Sequence, residues 1–324
     1  MITSVLLFAV GLVLLIKGGD WFVDGATGIA KRFNLPDIVV GATVVSIGTT
    51  LPEVMVSTTG ALAGSGAMAY GNAIGSIICN TALIAAISIT CNPGPVNVKS
   101  MKTPVIFFFA SAALYCLASY ILGEFPRWMG FVMLTIFVVY TVLTVRNGMK
   151  NPDASEEEEE EEQKERKLCQ ELVLLGVGAA VIAVGADLLV DHGQIIAIEL
   201  GVPETVVALL FVALGTSLPE LVTTITSLKK GRASLGVGNV IGANVFNLVL
   251  VSGVAVSLAP FAVPCENFLL DTGLNMSLVF EIPVMLGVMC LMTIPALLTK
   301  KLGRWQGILL LCIYAAFCVC QFVL

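Results

Sequence analysis

Stretches of about 20 apolar residues recur along almost the whole chain, and few folds can accept so many. A helix needs roughly that length to cross about 30 Å of hydrocarbon, because each backbone N–H and C=O must be paired inside the segment itself. Ten such windows stand at about 2–24, 37–62, 69–92, 103–122, 127–146, 169–195, 204–227, 234–260, 276–298 and 304–323. With 57% hydrophobic and 12% charged residues, too few polar side chains remain to coat a soluble protein of 324 residues. Short strand-like alternation is missing, which argues against a β-barrel. The first window has no basic leader and runs on too far to read as a cleaved signal. The expected fold is an all-α membrane protein with ten transmembrane helices.

Charge supplies the orientation. Lys31, Arg32, Lys99, Lys102, Arg146, Lys229, Lys230, Arg232, Lys300 and Lys301 fall in or beside odd-numbered connections, while the even-numbered ones hold only Arg127. Basic connections stay in the cytoplasm, so both termini are expected outside the cell membrane. The net charge of −6 is dominated by one run, Glu156 to Glu162. That run sits in the connection 147–168, which should be a solvated, self-repelling cytoplasmic linker. The nine cysteines show no metal-ligand spacing or disulfide framework, and His192 is the one histidine. No basic surface for nucleic acid is evident, and no cofactor is expected.

Residues 20–80 align without a gap on 187–247, with about a third of the positions identical. Asp20 matches Asp187, Asp24 matches Asp191 and Gly71-Asn72 matches Gly238-Asn239. A later block, Arg127-Trp128 with Gly130, matches Arg304-Trp305 with Gly307. Each copy contains five windows, and an odd number turns the second copy over in the membrane. The chain therefore divides into repeat 1–146, linker 147–168 and inverted repeat 169–324, a plan typical of secondary transporters with a site near the midplane.

The copies carry Gly48-Thr-Thr-Leu-Pro-Glu53 and Gly215-Thr-Ser-Leu-Pro-Glu220 inside apolar windows. A charged carboxylate at mid-membrane costs about 2.5–3.5 kcal/mol on insertion scales, so it marks a site. No Lys or Arg lies near either motif in sequence, which leaves an external cation as the natural partner. Proline in each motif removes an N–H and disturbs the preceding turn. Carbonyls of Ser46, Thr49, Ala213 and Thr216 then become ligand candidates. Hydroxyls of Thr49, Thr50, Thr216 and Ser217 and the carboxylates of Glu53 and Glu220 complete an all-oxygen set suited to Ca²⁺, Mg²⁺ or Na⁺. Gly71–Asn80 and Gly238–Asn247 form a second duplicated motif. Ser76 and Asn80 share a helix face, Asn247 repeats Asn80, and Asn72, Asn239 and Asn244 suit hydrogen bonding between helices. Asp20, Asp24, Asp187 and Asp191 suit interfacial anchoring or path lining, with Lys17 a local partner for Asp20.

These motifs, with Gly303-Arg-Trp-Gln-Gly307, resemble the sodium/calcium exchanger family within the cation/Ca²⁺ exchanger superfamily, along nearly the whole chain. The resemblance implies ten helices in two inverted five-helix halves, the first and sixth sliding across the other eight. It implies Ca²⁺ held by Glu53, Glu220 and the carbonyls of Thr49 and Thr216. Sodium would use the Ser46 carbonyl, Thr50, Ser76 and Glu53 on one side, and the Ala213 carbonyl, Ser217 and Glu220 on the other, with Asn80 and Asn247 between. Two positions depart from the pattern. Asn247 stands where some members, potassium-dependent ones included, carry Asp, which argues against a potassium requirement. Ala243 stands where members usually carry Ser, which removes one sodium ligand.

The resulting expectation is a secondary antiporter, not an enzyme, that exchanges Ca²⁺ for Na⁺ in the lipid bilayer as a monomer or weak oligomer. Proton/divalent exchange is the alternative in the same class. From another class, an intramembrane aspartyl protease would use Asp20 and Asp187, but would leave the duplicated Leu-Pro-Glu motifs unexplained.

Overall fold

The computed structural model describes residues 2–150, 167–199, 215–264 and 275–323. The acidic run and Ala213 lie outside the described residues. The described residues are mostly helical: α1 Ile2–Arg32, α2 Asp37–Thr49, α3 Leu51–Leu62, α4 Gly66–Cys91, α5 Val98–Leu122, α6 Arg127–Lys150, α7 Leu168–Glu199, α8 Leu218–Lys229, α9 Ala233–Leu258, α10 Ser277–Thr299 and α11 Arg304–Val323. Among the described residues, eight helices are each long and apolar enough to cross a membrane, and α2 with α3 makes a ninth if that bent pair is one span.

Helix bounds follow the apolar windows closely, with one informative difference. The first window ends at Asp24, but α1 continues to Arg32, because Ala26, Ile29 and Ala30 keep a buried face for two further turns. Asp20 and Asp24 therefore lie within the helix, not at its end. Lys230, not Lys17, is their partner: its Nζ is 2.6 Å from Asp24 Oδ1 and 3.7 Å from Asp20 Oδ1. Likewise α6 extends to Lys150, past the expected start of the linker.

Two layers of contact organise the bundle. Helices α1 and α7 pack antiparallel along their length. A Cβ at Gly11 would stand 2.9 Å from the Gly185 carbonyl oxygen, and one at Gly178 would stand 2.9 Å from the Gly18 carbonyl oxygen. Small residues are what let two backbones approach this closely in lipid. The second layer centres on α4 and α9, whose apolar windows are 72% and 83% buried, against 28% and 22% for α1 and α7. The helices bearing Gly71-Asn72 and Gly238-Asn239 thus form the interior, and α1 and α7 lie against it.

The same reciprocity recurs at the ends of the bundle. Gly94–Pro95 (β1) pairs antiparallel with Lys301–Leu302 (β4), and Glu124–Phe125 (β2) with Phe261–Ala262 (β3). Arg127 donates to the Leu258 carbonyl at 3.2 Å, and Arg304 to the Thr90 carbonyl at 3.0 Å. A Cβ at Gly130 would stand 2.9 Å from the Gly253 oxygen, and one at Gly307 would stand 2.7 Å from the Ala86 oxygen.

Candidate functional site

The second window is broken where the motif requires it. Helices α2 and α3 meet at Thr50 with a bend of 46°. Pro52 falls in the first turn of α3, where its missing N–H costs nothing. Pro219 occupies the same place in α8. Each carboxylate follows one residue later, in the first turn of its half-helix.

Glu53 and Glu220 are 0% exposed, and no donor reaches any of their four carboxylate oxygens among the described residues. They lie within electrostatic range of each other. The hydroxyls of Thr49 and Thr50 flank Glu220. Thr49, Thr50, Ser46, Ser76, Ser217, Asn80 and Asn247 are all buried, and the polar atoms of Thr50, Ser217, Asn80 and Asn247 likewise have no hydrogen-bond partner. Buried polar atoms normally pair. A group of them around two carboxylates is what a cation-binding cavity looks like without its ion's contribution. Among the described residues no cluster of three or more His, Cys, Asp and Glu occurs.

Asparagines hold the broken helices in place. Asn239 Oδ1 accepts from Thr49 at 3.2 Å and from Ser46 at 3.3 Å, while the Ser46 hydroxyl also approaches the Asn239 carbonyl at 2.9 Å. In the other half, Thr216 donates to Asn72 Oδ1 at 3.3 Å. Asn72 Nδ2 in turn donates to Ser57 Oγ at 2.8 Å and to the Glu53 carbonyl at 3.2 Å. Asn244 donates to Thr81 Oγ1 at 2.7 Å, joining α9 to α4. The Ser46 carbonyl accepts the Thr50 N–H at 3.0 Å and keeps a second lone pair.

The helical repeat widens at the site. Turns with i→i+5 bonding cover Gly41–Val45, Asn80–Ala85 and Asn247–Val251, so both central asparagines open one. Such bulges gather at functional positions. Side chains five residues on satisfy two of the loosened carbonyls: Ser46 donates to Gly41 O at 2.8 Å and Ser252 to Asn247 O at 2.9 Å.

The four repeated aspartates do not join this group. Along the antiparallel α1–α7 register, Asp20 lies level with residue 176 and Asp187 with residue 9. Eleven residues of helix separate them, about 16 Å at 1.5 Å per residue. A protease dyad needs the two acids in contact, so this alternative fails on geometry. Two features escaped the sequence reading. One is Asp37, buried and held by Arg232 Nη1 at 3.1 Å to each carboxylate oxygen. The other is Cys79, buried beside Ser217. Neither has a repeated motif to announce it.

Comparison with known proteins identifies the family. Residues 3–146 and 171–323 match the family described as sodium/calcium exchanger protein. An uncharacterised membrane protein of Methanocaldococcus jannaschii is 34% identical over 309 residues, spanning 95% of this chain and 94% of that one. The sodium/calcium exchanger MaX1 of Methanosarcina acetivorans is 30% identical over 352 residues, 98% of each chain. A solved structure of the sodium-calcium exchanger NCX_Mj, soaked with zero Na⁺ and Ca²⁺, matches with a TM-score of 0.77 at 31% identity over 97% of both chains. Another, soaked with 2.5 mM Na⁺ and 0.1 mM Sr²⁺, gives 0.79 at 32% identity over 97% of both. This chain belongs to the sodium/calcium exchanger family.

Proposed function

We propose that the protein is a secondary active antiporter that exchanges Ca²⁺ for Na⁺ across the membrane by alternating access. The observation that carries this reading is the pair Glu53 and Glu220, fully buried, in electrostatic range of each other and, among the described residues, flanked by hydroxyls but by no cationic side chain. Two carboxylates balance one Ca²⁺ or two Na⁺. Because one set of oxygens cannot satisfy both cargoes at once, occupation by one displaces the other, and that competition couples the fluxes.

In this reading Ca²⁺ binds Glu53, Glu220 and the carbonyls of Thr49 and Thr216. Sodium binds flanking positions built from Ser46, Thr50, Ser76 and Glu53, and from Ala213, Ser217 and Glu220, with Asn80 and Asn247 between. The ten-helix plan with repeat 1–146, linker 147–168 and inverted repeat 169–324 belongs to the same proposal. Its support is the reciprocity of contacts at a constant offset: Gly11 on Gly185 against Gly178 on Gly18, and Thr49 on Asn239 against Thr216 on Asn72. A two-fold axis in the membrane plane generates such pairs. Lys and Arg place both termini outside and the acidic linker in the cytoplasm. Helices α1 and α7, joined mainly to each other, would slide over the interior to expose the site alternately.

The test is ⁴⁵Ca²⁺ uptake by purified protein in Na⁺-loaded liposomes. Uptake should follow the outward Na⁺ gradient, collapse when the gradient is removed and be the same with K⁺ or choline outside. Uptake indifferent to Na⁺ would refute the coupling. One observation favours a second reading: Ala243 is buried and offers a methyl where its repeat mate Ser76 offers a hydroxyl. Proton/Ca²⁺ exchange would need fewer sodium ligands, and an imposed pH gradient without Na⁺ would then drive uptake.

A further inference from the structure

Cys79 is a thiol at the edge of a site otherwise made of hard oxygens. It sits on α4 directly before Asn80 and is 3% exposed. Its sulfur lies beside the Ser217 hydroxyl, with Glu220 in electrostatic range. On its other side the Tyr314 hydroxyl donates to Sγ at 3.7 Å. The fold does not demand sulfur here, since the repeat mate is Phe246, a wholly buried aromatic. The neighbours point to a ligand on independent grounds: Ser217 Oγ and both Glu220 oxygens are buried and unpartnered. This is also the half of the site in which Ala243 withholds a hydroxyl.

We propose that Cys79, Ser217 and Glu220 form a binding position for soft divalent cations of about the size of Ca²⁺, such as Cd²⁺, overlapping the Glu220 half of the cation site. The inference rests on the exchanger reading of that site. Hard cations gain little from sulfur, whereas thiol ligands select soft ones. A soft ion there displaces the Cys79 thiol proton to solvent, makes one thiolate bond that Ca²⁺ cannot match, uses Glu220 for the remaining charge, and so blocks the carboxylate that Ca²⁺ requires. Cys318, also beside Tyr314 and in electrostatic range of Cys79, serves as the control for a neighbouring thiol that does not meet Ser217.

Two measurements test this on the full chain. In liposomes, Cd²⁺ is titrated against Na⁺-driven ⁴⁵Ca²⁺ uptake for wild type, Cys79→Ser and Cys318→Ser, each scaled to its own half-saturating Ca²⁺. The ratio of half-inhibiting Cd²⁺ to half-saturating Ca²⁺ should rise about tenfold or more in Cys79→Ser and hold in Cys318→Ser, as expected for loss of a metal-binding contact. In detergent, Cd²⁺ should raise the ultraviolet sulfur-to-cadmium charge-transfer band in wild type and Cys318→Ser, and not in Cys79→Ser. Excess Ca²⁺ or Glu220→Gln should weaken that band. An unchanged inhibition ratio overturns the inference even where Ca²⁺ exchange is normal. A Cys79 band that neither Ca²⁺ nor Glu220→Gln affects also overturns it, because the thiol would then bind apart from the cation site. Failure of the exchanger reading itself shows separately, as wild-type ⁴⁵Ca²⁺ uptake that ignores Na⁺.

Discussion

The Thr49 hydroxyl donates to Asn239 Oδ1 at 3.2 Å, fastening the broken second span to a helix 190 residues away. Thr216 makes the same bond to Asn72 at 3.3 Å. In both cases the hydroxyl ties the turn that precedes the Leu-Pro-Glu motif to an amide of the other repeat. The asparagine sets the geometry, and the threonine carbonyl is left as the proposed ligand. The two bonds are not equally sheltered. Asn239 is 0% exposed and accepts from Ser46 as well, whereas Asn72 is only partly buried.

Asn239→Ala should therefore cost more than Asn72→Ala. Removing the Asn239 amide takes the side-chain acceptor from the buried Thr49 hydroxyl, at about 1–3 kcal/mol for an unsatisfied buried group, while the Ser46 hydroxyl keeps the Gly41 carbonyl at 2.8 Å. Asn72 can lend part of its role to water. The expected result is a larger rise in half-saturating Ca²⁺ for Asn239→Ala, with Asn239→Asp recovering much of it because the acceptor oxygen is kept. Ca²⁺ titrations of ⁴⁵Ca²⁺ uptake decide this, and equal effects at the two positions would contradict the positioning role.

Glu53→Gln and Glu220→Gln should each lower Ca²⁺ uptake by about two orders of magnitude or more. Removing one member of a buried, desolvated charge contact costs roughly 3–5 kcal/mol. Glutamine keeps the volume, so the bundle should still fold and elute as wild type does. Near-normal uptake by both variants would remove these residues from the site.

The site's carboxylates, its helix break and its asparagines were legible because the chain states them twice. A duplicated Leu-Pro-Glu inside apolar sequence has no inexpensive structural role, so its meaning survives without a structure. Helix ends were less legible. Hydropathy stops at the first acid, yet α1 continues past Asp20 and Asp24 because its buried face is carried by alanines and Ile29. Long-range polar pairs were not legible at all. Asp37 and Arg232 are separated by 195 residues, and nothing in either local sequence names the other. The same holds for the widened turns at Asn80 and Asn247, which depend on backbone bonds with no residue signature.

Arg232 and Lys230 offer a contrast that magnitudes can decide. Arg232, 21% exposed, brings one nitrogen, Nη1, to both oxygens of Asp37, whose side chain is 2% exposed, while Lys230 and Asp24 are 29% and 32% exposed. A half-exposed pair contributes about 0–1 kcal/mol. Breaking a buried one by removing a single partner costs roughly 3–5 kcal/mol. Arg232→Ala should markedly lower the thermal midpoint in detergent, and Lys230→Ala should barely move it. If the two shifts are alike, the Arg232 pair is more solvated than its burial implies.

Ala243→Ser should tighten sodium binding. Ala243 is fully buried on α9 and is the repeat mate of Ser76, a proposed sodium ligand on α4. A methyl cannot donate an oxygen, so the Ser217 half of the site has one hard ligand fewer than the Thr50 half. Serine adds that oxygen for a small increase in volume. Its helix already packs closely through small residues, Gly242 lying against Ser46 and Ala42. Calcium draws mainly on Glu53 and Glu220, which the substitution leaves alone. The half-saturating Na⁺ for exchange should therefore fall several-fold, about 1 kcal/mol for one net hydrogen-bond-scale contact, with half-saturating Ca²⁺ less changed. Sodium titrations of wild type and variant, run beside an imposed pH gradient, check both readings together. An unchanged sodium curve with strong proton-driven Ca²⁺ uptake would shift the coupling ion from Na⁺ to H⁺.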